Sequence, residues 1–225
     1  MNPLVDIRGL RYRYPDGTDA LRGIDFEMKP GECVALFGPN GSGKTTFILH
    51  LSGLLQGEGS ISVNGKVGLV FQNSDDQLFM PTVIEDVAFG PGNMGLTVAE
   101  SQARALQALE QVGMAHLISK APYHLSAGEK RRIAIAGVLA MDPDLLVLDE
   151  PTTFLDPPAE RQLAKLLRDL PQAKLLVTHN VPFARALASR AVFFREGRVV
   201  ADGPVDDVIT RFDWDFQQSG SPDRR

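Results

Sequence analysis

Residues 38–46 read Gly-Pro-Asn-Gly-Ser-Gly-Lys-Thr-Thr. Gly38, Gly43, Lys44 and Thr45 fill the phosphate-loop pattern Gly-x-x-x-x-Gly-Lys-[Ser/Thr]. The chemistry that needs this pattern is capture of a nucleotide's β- and γ-phosphates, on which several backbone N–H groups must converge. Glycines supply the dihedral freedom and the close approach. A helix starting at the end of the loop adds its partial positive charge. In this pattern the lysine bridges β- and γ-oxygens and the following hydroxyl meets Mg²⁺. Gly38, Pro39, Asn40, Gly41, Ser42, Gly43, Lys44, Thr45 and Thr46 are therefore the candidate site for ATP with Mg²⁺.

A second group of chemical residues closes the apolar run Leu145-Leu-Val-Leu, which ends in Asp149-Glu150-Pro151. Ligands of parallel α/β sheets sit at the C-terminal ends of strands. Asp149 then faces the phosphates and holds Mg²⁺, directly or through water, and Glu150 polarises an attacking water as general base.

The elements around these residues alternate strand and helix. Glu32–Phe37 is a short apolar strand that runs into the loop, and Thr45–Leu55 is the helix after it. Leu4–Tyr14 and Leu21–Met28 alternate as strands around the turn Pro15-Asp-Gly17, and short strands follow at Gly59–Val63 and Val67–Phe71. Val98–Gly113 places Ala, Leu and Val at helical spacing, so the stretch from 73 to 140 reads as a mostly helical lobe inserted in a strand-rich body. Helices at Ser126–Met141, Arg161–Leu170 and Pro182–Ala188 alternate with strands at Asp144–Leu148 and Leu175–Thr178. A hairpin spans Ala191–Ala201. The expected fold is α/β: a phosphate-loop NTPase core with a mainly parallel sheet, an N-terminal antiparallel β subdomain and the inserted lobe. One domain covers 1–212, and 213–225 is a polar tail.

Further motifs narrow the class. Leu125-Ser126-Ala127-Gly128-Glu129 leads a helix and resembles the signature motif of ABC ATPases, usually Leu-Ser-Gly-Gly-Gln. Gln72 ends a strand as the Q-loop glutamine of that family does. Thr153-Phe-Leu155-Asp156 resembles the D-loop, and Thr178-His179 resembles the switch histidine. Tyr14 stands where the family stacks an aromatic ring on adenine, with Tyr12 a competitor on the same strand face. The order of elements is the family's, over roughly residues 4–210. The resemblance implies that Lys44, Gln72, Glu150 and His179 carry hydrolysis, and that Thr45, Gln72 and Asp149 hold Mg²⁺. It implies further that Ser126, Ala127, Gly128 and Glu129 complete the ATP cage across a head-to-tail pair, with Asp156 in the D-loop. The partner cassette is a second copy of this chain or a paralogous ATPase.

The chain departs from the family at Ala127, at Glu129 and at Phe154, where small residues are usual. The interval of 28 residues from Lys44 to Gln72 is short for it. Val70–Phe79, Glu85–Pro91 and Lys130–Ala140 look like the ATPases of energy-coupling-factor importers. The cobalt/nickel type and its biotin-importer relatives are the most similar. That resemblance implies a peripheral ATPase at the cytoplasmic face of a membrane, docked on integral-membrane transporter subunits. Leu78, Phe79, Met80, Val83 and Phe89 are the candidate docking residues, against the plainer reading that they fill the lobe's own core.

Composition fits this picture. Lys and Arg number 23 against 28 Asp and Glu, a net charge of −5, without the basic footprint of a nucleic-acid binder. No run approaches the ~18 apolar residues of a membrane span, and the start has no signal-peptide pattern. The single cysteine, Cys33, excludes an internal disulfide and reads as a buried thiol. A soluble ABC protein acting on DNA or ribosomes would bring a coiled coil, tandem cassettes or basic patches. A non-hydrolysing cassette would lack one of Lys44, Asp149, Glu150 and His179.

Overall fold

The computed structural model describes residues 2–214. Along the chain come β1 (Val5–Arg13), β2 (Asp19–Met28), β3 (Cys33–Phe37), α1 (Lys44–Leu51), β4 (Glu58–Val63) and β5 (Val67–Val70). Helices α2 (Val83–Asn93), α3 (Val98–Gln111) and α4 (Ala127–Leu139) follow, then β6 (Leu145–Asp149) and α5 (Pro157–Asp169). The chain finishes with β7 (Ala173–Val177), α6 (Val181–Leu187), β8 (Arg190–Arg195), β9 (Arg198–Pro204) and α7 (Val205–Arg211). Of the expected tail at 213–225, residues 215–225 lie outside the described residues.

The chain divides into two compact units. The first gathers residues up to Asn64 and from Ala173 onward; the second is Gly65–Gln172. In the first unit, β1 pairs antiparallel with both β2 and β4. Beside this antiparallel sheet, β3 runs parallel to β7 and to β8, and β9 returns antiparallel to β8. Strand β7 is buried at every residue and β3 at all but Cys33, as parallel strands covered on both faces require. Cys33 is partly rather than fully buried, and that burial pushes its thiol up to about 11. A core of Phe37, Ala184, Phe193, Val208, Ile209 and Trp214 packs against β3 and β8. Trp214 is only 5% exposed, so the packed domain runs past the expected boundary at 212. Burying a ring that size contributes roughly 2–3 kcal/mol.

In the second unit β5 pairs parallel with β6, and α2, α3 and α4 pack together. This unit is wider than the expected lobe of 73–140, because it takes in β5, β6 and α5. Its helix starts are written in the sequence. Thr97 with Glu100 and Ser126 with Glu129 each form a capping box, and Asp156 caps α5 ahead of Pro157.

Helix α2 was not legible, because Gly90-Pro91-Gly92 reads as a breaker yet stands inside its last turn. Gly90 packs closely there: a Cβ on it would come within 2.8 Å of the Met141 sulfur, so that side chain would have to move. Helix α1 starts at Lys44 and stops at Leu51, earlier than expected, where Ser52 caps it and Gly53 turns left-handed at φ 74°.

Candidate functional site

The phosphate loop links β3 to α1. Gly38, Gly41 and Gly43 have φ of 143°, 74° and 103°, values that L side chains rarely adopt. Gly38 is also sterically required, since a Cβ there would lie 2.2 Å from the Phe194 carbonyl oxygen and 2.9 Å from Ser42 Oγ. Among the described residues, Ser42 Oγ is buried with no hydrogen-bond partner. The Lys44 ammonium donates to the Gly38 carbonyl at 2.6 Å and to the Pro39 carbonyl at 3.0 Å, so the cation is held over its own loop. Pro39, Asn40, Gly41 and Thr45 are exposed, and Thr46 is buried within the first turn of α1. A loop with three glycines at positive φ, a buried hydroxyl and a cation held on the loop carbonyls are features that suit a polyphosphate.

Two further candidates belong to this unit. The Tyr14 hydroxyl and Thr46 Oγ1 are 3.0 Å apart, which places Tyr14 against the first turn of α1. Tyr12 instead packs edge-on against His50 at 4.7 Å between centroids, so the two tyrosines serve different neighbours. His179 follows β7 and stacks on Trp214, 5.6 Å between ring centroids and 27° between planes. Burial, then the Lys44 charge, pushes the His179 pKa below its ordinary value, so the ring is neutral at pH 7.

The second unit holds the remaining candidates. Strand β6 is buried through Leu148 and delivers half-buried Asp149 at its C-terminal end. Glu150 has φ 42°, a left-handed conformation that costs a non-glycine residue about 1 kcal/mol or more. Gln72 stands two residues past the end of β5 rather than at it, and its side chain is exposed. Ser126 and Ala127 are exposed at the start of α4. Ser126 Oγ accepts from the Glu129 amide at 3.3 Å, while Glu129 Oε2 accepts from the Ser126 amide and hydroxyl at 2.8 Å each. These bonds hold the Glu129 carboxyl below the usual range, so Glu129 is a reciprocal cap of this helix.

A Cβ at position 128 would meet Ala159 Cβ at 3.3 Å, close enough to favour glycine. Asp156 Oδ1 accepts from the Ala159 amide at 2.8 Å and is occupied as a cap. Phe154 stands left-handed at φ 66° and is 79% exposed.

Of the candidate docking residues, Val83 is fully buried and belongs to the core, a correction to the expectation above. Phe79 and Phe89 are exposed and meet edge to face at 5.1 Å. Asp86 holds their loop: its Oδ1 accepts from the Phe79 and Met80 amides at 3.0 and 3.1 Å. Among the described residues no helix is long and apolar enough to cross a membrane, and no cluster of three or more His, Cys, Asp or Glu stands ready to hold a metal by itself.

Two residues near these candidates have no role implied by the motifs: Trp214 beside His179, and Arg131, which lies on α4 within the Lys130–Ala140 stretch. A lone tryptophan and one arginine in a basic triplet gave no signal of long-range contacts.

The ABC transporter family model matches residues 21–153. A chain of Geobacter sulfurreducens with the provisional name of ABC transporter ATP-binding protein is 53% identical over 220 residues, covering 92% of this chain and 88% of that one. The energy-coupling factor transporter ATP-binding protein EcfA of Methanothermobacter thermautotrophicus is 46% identical over 225 residues, covering 92% and 72%. The solved structure of cbiO1 from Clostridium perfringens, part of the ABC transporter complex cbiONQ, superposes with a TM-score of 0.84 at 36% identity, covering 94% and 92%.

Proposed function

From membership of the ABC transporter ATPase family, to which this chain belongs, we propose a specific post: the ATP-hydrolysing subunit of an energy-coupling-factor importer that drives cobalt or nickel uptake. The chain is an ABC transporter ATP-binding subunit with an ATPase fold. The observation that carries the finer reading is its likeness to EcfA over nine-tenths of its length, with cbiO1 as structural neighbour.

In this reading the Gly38–Thr46 loop takes the β- and γ-phosphates of ATP, and Tyr14 takes the adenine. The Lys44 ammonium exchanges its loop carbonyls for phosphate oxygens, so its charge is already in place and little reorganisation is needed. Thr45, Gln72 and Asp149 are the residues that would hold Mg²⁺, which when bound neutralises charge on the transferring phosphoryl group. Glu150 accepts the proton of the attacking water. His179, kept neutral, carries one accepting and one donating ring nitrogen, and orients that water or the γ-phosphate.

Ser126, Gly128 and their exposed helix start, with Asp156 nearby in sequence, serve the ATP of a second cassette, a copy of this chain or a paralogue. That arrangement makes hydrolysis a property of the pair. In the same reading the protein works at the cytoplasmic face of the membrane, and the exposed Phe79 and Phe89 are an apolar seat for an integral-membrane subunit.

The test is steady-state phosphate release, with the membrane subunits that co-purify identified alongside. Glu150→Gln should lower release by at least about a hundredfold. Equal rates would remove Glu150 from the mechanism. Co-purification with a vitamin-binding membrane subunit, such as one for biotin, would keep the ATPase role and replace the cation.

A further inference from the structure

Helix α4 carries adjacent cations with opposite fates. Lys130 is half-buried and pairs with exposed Asp75 at 2.6 Å. Arg131 turns inward and is 2% exposed. Its Nη1 donates to the Phe71 carbonyl at 2.6 Å, and its Nη2 donates to the Gln72 carbonyl. These two carbonyls flank the Gln72 Cα, so one planar guanidinium pins the backbone on both sides of that residue. From the other side, Gln77 Oε1 accepts from the Phe71 amide at 2.8 Å, and Gln77 Nε2 donates to the Leu69 carbonyl at 3.2 Å. Residues 71–75 are thus fastened to a helix whose first residues follow Ser126.

The fastening is costly. Burying a guanidinium disfavours its charge, and carbonyl dipoles compensate only in part. The charge of Asp149 acts in the opposite sense to that burial and favours the cation. A buried arginine placed on two carbonyls and near the strand-end aspartate is a poor way to fill a core, which an apolar side chain would do at lower cost. It is an effective way to set a backbone, because the rigid fork reaches two acceptors at fixed spacing.

We propose that Arg131 is a positioning residue for Gln72: it makes the Gln72 backbone follow the helix that presents Ser126 and Gly128. A displacement of that helix start, as when a second cassette's ATP engages it, then moves Gln72. The inference rests on the reading of Gln72 as a ligand of Mg²⁺ and the attacking water.

The test uses the full chain and compares Arg131→Met, Arg131→Lys, Gln72→Ala and the double variant Gln72→Ala/Arg131→Met. The readouts are equilibrium binding of a fluorescent ATP analogue, kcat for phosphate release and the Mg²⁺ concentration for half-maximal rate. Arg131→Met should bind the analogue within about twofold of wild type, lose at least about tenfold in kcat, and need at least about threefold more Mg²⁺. Arg131→Lys keeps the charge but not the fork, and should fall between. In the Gln72→Ala background, Arg131→Met should cost less than about twofold more, because the two act as one unit.

Full additivity in the double variant would overturn the proposal alone, and so would an unchanged kcat and Mg²⁺ requirement in Arg131→Met. A wild-type kcat and Mg²⁺ requirement in Gln72→Ala would sink the role of Gln72 and this proposal with it. Should Arg131→Met fail to fold, Arg131→Lys decides: a wild-type Mg²⁺ requirement there overturns the proposal.

Discussion

Replacing Gly38 by alanine tests whether the loop's shape, rather than its sequence motif, captures phosphate. The new Cβ would stand 2.2 Å from the Phe194 carbonyl oxygen, where real Cβ contacts stay beyond 3.0 Å. The loop and β8 must therefore separate by about 0.8 Å, and displacements near 1 Å at a positioned group cost on the order of a hundredfold. The φ of 143° adds strain of roughly 1–2 kcal/mol for any L side chain. Gly41→Ala is the matched control. Its φ is 74°, but nothing lies within 4 Å of the added methyl, so it carries strain without collision. Titration with a fluorescent ATP analogue should show Gly38→Ala weakened at least about thirtyfold and Gly41→Ala less than about fivefold. Thermal melts should confirm that both variants fold. Equal affinities in the two variants would refute the steric reasoning.

Two further outcomes follow from titrating groups. The His179 pKa lies below its ordinary value in the folded chain and near 6.5 when unfolded, so the unfolded state binds the extra proton between those two values. Stability should therefore fall as pH drops through 6.5 toward the folded value and level off below it, and His179→Gln should flatten that slope in urea unfolding curves. The acid limb of kcat should likewise lie below pH 6.5, and a limb at or above that value would contradict the neutral-ring assignment. Glu129→Gln restores the family's usual residue while keeping one acceptor for the cap. It should cost less than about 1 kcal/mol in a melt and change phosphate release by less than about threefold. A larger loss would mean that the carboxylate does more than cap α4.

The phosphate-loop motif and the apolar strands beside it were more legible than several of the helices. Gly38, Gly43, Lys44 and Thr45 are read from residue type and spacing because phosphate binding uses local backbone, and β3 and β6 announce themselves as short apolar runs. Helix α2 was hidden, since Gly90-Pro91-Gly92 signals a break while tertiary packing against Met141 retains the turn. Helix α7 was hidden by its brevity, with only Val205, Val208 and Ile209 to show the helical period. Trp214 looked like the start of a polar tail because its partners Phe37 and Phe193 are remote in sequence. Val83 stayed open between a docking contact and the lobe's core because helical spacing alone does not say which face is covered, and its burial decides for the core. Arg131 shows the same limit at the site: its partners Phe71 and Gln72 lie 60 and 59 residues away.

Hydrolysis as a property of a pair is the central claim, and the mass of Glu150→Gln in solution tests it most directly. Light scattering on the eluting protein should give the 24.5 kDa monomer without nucleotide. With saturating Mg-ATP, which this variant binds but does not consume, it should give about 49 kDa, twice that mass. A monomer at saturating Mg-ATP, alongside wild-type hydrolysis that is first order in protein down to nanomolar concentrations, would contradict the account.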